Sequence, residues 1–179
     1  IARLVGSEMC IRDRIKTIPD DDNRERDVCQ SCGEIFYVNP NIVTGVLPYN
    51  DQGEILLCKR SIEPRDGFWT LPAGFLENGE SIQEGAERET LEEAKLHVSV
   101  VKLFTILSVP HINQLYTFFS GKIANDDFGP TPESSEVKLF KVDEIPWEEL
   151  AFPTVIKTLK IYLEHGDDKV FNEVLEYKR

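Results

Sequence analysis

Glu89, Glu92 and Glu93 stand at i, i+3 and i+4 within GFLENGESIQEGAERETLEEAKL, residues 74–96. On a helix at that spacing the three carboxylates are neighbours and repel one another. Helical projection also puts them on the side that carries Ile82, Gly85, Ala86 and Leu96, so charge sits in the middle of a packing face. A solvated acidic helix is the plain alternative, but such a helix would not share its charged side with apolar residues. Clustered carboxylate oxygens suit a hard divalent cation, Mg²⁺ or Mn²⁺. Such an ion keeps waters and completes its shell with substrate phosphates. Glu89 and Glu93, one turn apart, are the first metal ligands to consider, and Glu92 is next. Arg88 lies one turn from both Glu84 and Glu92, where it can orient a carboxylate and soften the repulsion. Arg88, Glu89, Glu92 and Glu93 are therefore the candidate catalytic residues.

The flanking elements must hold these groups in place. Ser81 caps the helix and Glu84 completes a capping box. Gly85 inside the helix is unfavourable by about 1 kcal/mol against Ala, which implies close packing there. Upstream, residues 42–48 and 54–60 read as strands joined by the turn Asn50-Asp51-Gln52-Gly53. Residues 68–74 run straight into the acidic stretch, with Trp69 as a core aromatic. Downstream, residues 98–109 and 112–123 read as a long antiparallel pair, and 136–142 as a final strand. A short helix over 145–150 precedes a longer one from Pro153 to about Leu163, and 169–179 reads as a marginal helix. Strands, helix, strands, helix is the order of an α+β protein, an α/β/α sandwich, rather than of alternating βαβ units.

Gly74, Glu80, Arg88, Glu89, Glu92, Glu93 and Leu96 resemble, at the required spacing, the signature of the Nudix hydrolases. Thr90 and Lys95 depart from it, standing where an apolar residue and a Gly are usual. The resemblance covers about residues 40–165. It implies a curved mixed β-sheet between helices and metal-dependent hydrolysis of a nucleoside diphosphate linked to another moiety. It also implies that a backbone carbonyl at Ala73 or Gly74 can touch the metal. A further metal-binding carboxylate is implied at Glu136, with Glu133 a weaker choice, and a structural role in the loop for Glu80. The flanks NRERDVCQSCG, NPNIVTG, SVPHINQLY and DEIPWEELAFPT resemble the bacterial and plastid group with an N-terminal zinc-ribbon-like segment. That likeness implies FAD, split to FMN and AMP, or ADP-ribose as substrate. NADH ranks lower because TILSVPHINQLYTFF lacks the motif of the NADH-cleaving members; CoA is another alternative. His111, Asn113 and Tyr116, in the aromatic and polar turn after the box, are candidates for nucleobase or flavin contacts. A rival from another class is a sensor of this fold that binds a nucleotide without cutting it. Such proteins usually have broken boxes, and this one keeps Arg88, Glu89, Glu92 and Glu93.

Composition bounds the remainder. With 179 residues and a net charge of −12, the chain disfavours general nucleic-acid or anionic-membrane binding. No apolar run approaches the roughly 20 residues of a membrane span. The partner expected is a small-molecule nucleotide, and a homodimer stays open. Residues 1–14 show no periodicity and read as a scar or fragment, 15–39 as the zinc-ribbon-like segment, and 40–179 as the hydrolase domain. Cys29 and Cys32 form one CxxC, two thiolates able to face a structural Zn²⁺. A structural site needs four ligands; Cys10 could be a third, and Ser7 stands where its CxxC partner would be. A turn with two reduced thiols is the alternative. The cysteine pattern is no disulfide framework and fits a reducing, intracellular setting, cytoplasmic, or plastid if the source is photosynthetic.

Overall fold

The structure, a computed structural model, describes residues 13–176. Expectations for residues 1–12, Cys10 included, lie outside the described residues. The chain divides between Asn39 and Pro40 into two compact units.

In the first unit, β1 (Arg14–Thr17), β2 (Arg26–Cys29) and β3 (Ile35–Phe36) form an antiparallel sheet. Cys29 ends β2, where its carbonyl accepts from the Gly33 amide at 2.8 Å. Gly33 has φ of 75°, a conformation that glycine adopts without strain, so Cys29-Gln-Ser-Cys32 closes as a tight turn. Cys29 is buried and Cys32 exposed.

The second unit is built on a mixed sheet in the order β10-β5-β4-β9-β8-β11, with β6 (Trp69–Thr70) beside β5 and β7 (Ala73–Phe75) beside β4. The path strands are β4 (Asn41–Tyr49), β5 (Ile55–Arg60), β8 (Val98–Val109), β9 (Gln114–Ile123), β10 (Ser134–Phe140) and β11 (Phe171–Val174). β4 and β9 pair in parallel, as do β8 and β11, and the other pairs are antiparallel. Helix α1 (Ile82–Ala94) and helix α2 (Pro153–His165) cover opposite faces. Successive strand residues point to opposite sides of a sheet. Accordingly Leu47, Leu57 and Phe118 pack with Val155 and Leu159 of α2, while Val46 and Phe119 pack with Ala86 of α1, and Leu56 and Cys58 with Ala94. A sheet covered on both faces needs continuous apolar runs, and GVL, ILLC and TFF supply them.

Two segments differ from their sequence reading. Residues 169–179 do not form a helix as far as they are described. Phe171–Val174 instead adds a parallel edge strand to β8. The Phe171 ring meets Phe104 edge-on at 5.9 Å and stacks on His165 at 5.0 Å. An isolated helix of that length is marginal, and sheet pairing with ring packing outcompetes it. Residues 145–150 form only a 3₁₀ turn at Trp147–Glu149, after another at Val142–Glu144, because Leu150 turns extended and bridges to Trp69, whose carbonyl accepts from the Ala151 amide at 2.8 Å. Among the described residues no helix is long and apolar enough to cross a membrane.

Candidate active site

A cleft of about 650 Å³ opens on the second unit, bounded by β7, α1, β9 and the first turn of α2. Its acidic wall is α1. The helix starts where sequence chemistry says it should: the Ser81 hydroxyl accepts from the Glu84 amide at 3.2 Å, and the Glu84 carboxylate accepts from the Ser81 amide at 2.8 Å. It ends at Lys95 in the left-handed region, φ 55°, where Gly would be unstrained. Thr90 is fully buried, and its hydroxyl donates to the Ala86 carbonyl at 2.7 Å, which satisfies the polar group in an apolar position. Gly85 is needed where it stands, since a Cβ there would fall 2.9 Å from Thr44 and Leu76 side-chain atoms.

Glu93 is only 5% exposed and accepts a hydrogen bond from the Ala73 amide at 3.2 Å. Burial pushes its pKa up to about 8; the Ala73 amide opposes the rise and the Glu89 charge adds to it. Glu89 is also raised, mainly by burial, with Arg88 holding it back. Its carboxylate occupies the space beside Gly74, where a Cβ would stand 2.3 Å from it. Glu92 is exposed.

Arg88 ties the wall together. It donates to Glu80 at 2.7 and 3.1 Å, to Glu89 at 2.7 Å, to Glu92 at 3.1 Å and to the Phe75 carbonyl at 3.2 Å. The sequence pointed to Glu84 and Glu92 as its partners. Glu84 is instead engaged at the cap, and Glu80 from the preceding loop takes its place. Hydrogen bonds from Arg88, then from the Glu77 amide, bring Glu80 down to about 2. A carboxylate so held in a two-point pair is a structural clamp.

Tyr116 lines the cleft with the acidic wall, whereas Glu136, His111 and Asn113 do not. Glu136 sits opposite Lys59 in the β10–β5 register and pairs with it at 2.9 Å on the sheet surface. The β10 irregularity between Ser134 and Glu136 separates it from Glu133, which does line the cleft. His111 and Asn113 belong to the exposed turn after β8, where Asn113 takes φ 53° and donates its amide to Pro110. Their neighbours Ile112 and Gln114 line the cleft in their stead. Arg60, Glu63 and Thr154 also line it, and no spacing in the sequence connects them to the acidic helix.

The donor set fits a hard cation. Among the described residues, no three His, Cys, Asp or Glu side chains form a preformed ion cage. Mg²⁺ does not require one, because it binds through one or two carboxylates and keeps waters and phosphate oxygens. A buried Glu93 beside a half-buried Glu89 is an arrangement that a divalent charge compensates. In the first unit the described residues offer two thiols, half of a tetrahedral zinc set.

A layered mixed sheet with a carboxylate-rich helix facing a cleft is the arrangement of a hydrolase of the Nudix class. The NUDIX domain family model matches residues 39–160, and a second model, described as Nudix N-terminal, matches residues 10–38. The chain belongs to the Nudix hydrolase family. It is similar to a crystal structure of a NUDIX hydrolase from Nitrosomonas europaea, 43% identical with a TM-score of 0.85 over 90% of this chain and 93% of that one. It resembles the NUDIX domain of Shewanella oneidensis NrtR complexed with ADP ribose in fold alone, at 18% identity and TM-score 0.61 over 72% of this chain and 90% of that one. A curated relative, the NAD-capped RNA hydrolase NudC of Chromobacterium violaceum, is 28% identical over 79% of this chain and 52% of its own length. The chain spans about half the length of the curated relatives it matches.

Proposed function

We propose that this chain hydrolyses, with Mg²⁺ or Mn²⁺, the diphosphate bond of a nucleoside diphosphate linked to another moiety, with FAD and ADP-ribose as substrates. The observation that carries this reading is the buried Glu93 beside Glu89 in a cleft large enough for a nucleotide. A bound divalent cation supplies neutralisation of the diphosphate charge and a more acidic water. Glu89 and Glu93 would hold it, with Glu92 adjoining. Arg88 keeps Glu89 and Glu92 in position through its two Nη1 hydrogen bonds, so little reorganisation is needed when charge develops. Glu92, exposed at the mouth, and Glu133, from the loop before β10, are the carboxylates suited to accept the attacking water's proton. Tyr116 supplies an aromatic wall for the base.

NADH is the second reading, a dinucleotide of the NAD type; the curated relatives are named NAD-capped RNA hydrolases. FAD, ADP-ribose, NADH and CoA, each incubated with Mg²⁺ or Mn²⁺ and analysed by mass, test both. Release of AMP with FMN or ribose phosphate supports the first reading, and release from NADH alone the second. No mononucleotide from any of the four would leave a nucleotide-binding sensor.

A further inference from the structure

Helix α2 begins inside the cleft without a side-chain cap. Its N-cap residue is Phe152, Pro153 follows, and the first backbone bond is made by the Ile156 amide to the Phe152 carbonyl. The amides of Thr154 and Val155 precede that bond, and both residues line the cleft. Thr154 is only 4% exposed, and its hydroxyl has no hydrogen-bond partner among the described residues. A buried hydroxyl left unpaired is unfavourable, and native folds retain few of them. The other threonine on α2's buried side shows the usual outcome: Thr158 pairs with Thr105 at 3.2 Å. Thr154 is the exception, and it faces the space that a ligand would fill.

What surrounds Thr154 selects the ligand. Phe152, Ile112, Tyr116 and Phe118 form an apolar, aromatic wall, with the Tyr116 and Phe118 rings stacked at 6.2 Å. Arg60 donates its Nε–H to the Pro64 carbonyl at 2.8 Å and lies 5.2 Å from the Phe152 ring centroid, fixing the residue that precedes the helix. The same cleft carries the carboxylates of Glu63, Glu77, Glu89 and Glu133, which disfavour a second free anion. A flat ring with acceptor oxygens on its edge meets both demands, stacking on the aromatic wall while the helix end donates to its carbonyls.

Accepting the diphosphatase reading, we propose that Thr154 and the first turn of α2 are a specificity subsite for the carbonyl-bearing edge of the substrate's planar base. The subsite favours flavin-like substrates over those that end in a sugar.

The test compares equilibrium binding of FAD and ADP-ribose to the full chain and to Thr154→Val, with Ca²⁺ replacing Mg²⁺. Valine keeps the shape and removes the hydroxyl. The ratio of FAD to ADP-ribose affinity should fall roughly three- to tenfold, the worth of one hydrogen bond. Thr154→Ser should restore it, and the thermal midpoint of Thr154→Val should not drop. An unchanged ratio overturns the subsite, as does a wild-type protein that binds neither compound. Protection by inorganic phosphate alone, lost in Thr154→Val, would mark an oxyanion site and overturn the base-edge assignment. FAD bound through Thr154 but never cleaved when Mg²⁺ or Mn²⁺ is supplied would leave the subsite standing and sink the hydrolase reading.

Discussion

Arg88 and Glu80 form a two-point pair, Nε to Oε2 at 3.1 Å and Nη2 to Oε1 at 2.7 Å, that fastens the loop before α1 to the middle of the helix. Lysine cannot reproduce that geometry, so Arg88→Lys is not conservative here. We expect it to lower stability by about 1–3 kcal/mol and kcat/KM by roughly a hundredfold. Urea unfolding and steady-state kinetics on the best substrate read the two effects. The clamp also resists acid. Glu80's contribution is complete above its ordinary 4.5 and disappears as pH falls through about 2. A variant as active as wild type would remove Arg88 from the site.

Glu93→Gln removes a buried charge but keeps the shape, so the fold should remain and the melting temperature without metal should not fall. Turnover with Mg²⁺ should drop by roughly a hundredfold or more. Full turnover in this variant would strike Glu93 from the ligand set.

Glu93 also sets a pH dependence. Its raised value means that the folded chain holds a proton that the unfolded chain has already released. Without metal, stability should therefore decline as pH rises from about 4.5 and level off above about 8. A cation on Glu93 must expel that proton, so apparent Mg²⁺ affinity should climb, by up to about tenfold per pH unit, until pH 8. Titration calorimetry in two buffers of different ionisation enthalpy would detect the released proton. Affinity flat between pH 6 and 8 would contradict the assignment.

Two glycines should separate chemistry from folding. A Cβ at Gly74 meets the Glu89 carboxylate at 2.3 Å, the movable end of a side chain. Gly74→Ala should therefore displace Glu89 and cut activity with modest loss of stability. A Cβ at Gly45 meets the Ala73 Cβ at 2.3 Å and the Pro72 carbonyl at 2.4 Å, both tied to backbone. Gly45→Ala should open β4 from β7 and lower stability by about 3 kcal/mol or more. Melting and kinetics of both variants check this; equal stability losses would reject the distinction.

Local signals carried the acidic helix entirely. Ser81 and Glu84 form the expected capping box, Gly85 packs closely, and the turn Asn50–Gly53 joins β4 to β5. These features depend on residues a few positions apart, and so their spacing is visible in the chain. The surroundings of Glu136 and of the 169–179 segment were not legible for the converse reason. Glu136 was a strand-edge carboxylate until register set Lys59 opposite it, and Phe171 had no strand to join until β8 was in place.

The sequence by itself determined the acidic helix, its cap and the sandwich layers, because all of them rest on short-range spacing and apolar periodicity, and it carried the motif by which the chain resembles its family. Only the tertiary structure decided that Arg88 holds Glu80, that Glu93 is buried against the Ala73 amide, and that Thr154 enters the same cleft. Charge state, burial and an unpaired hydroxyl arise where distant segments meet, and no residue carries them before the chain has folded.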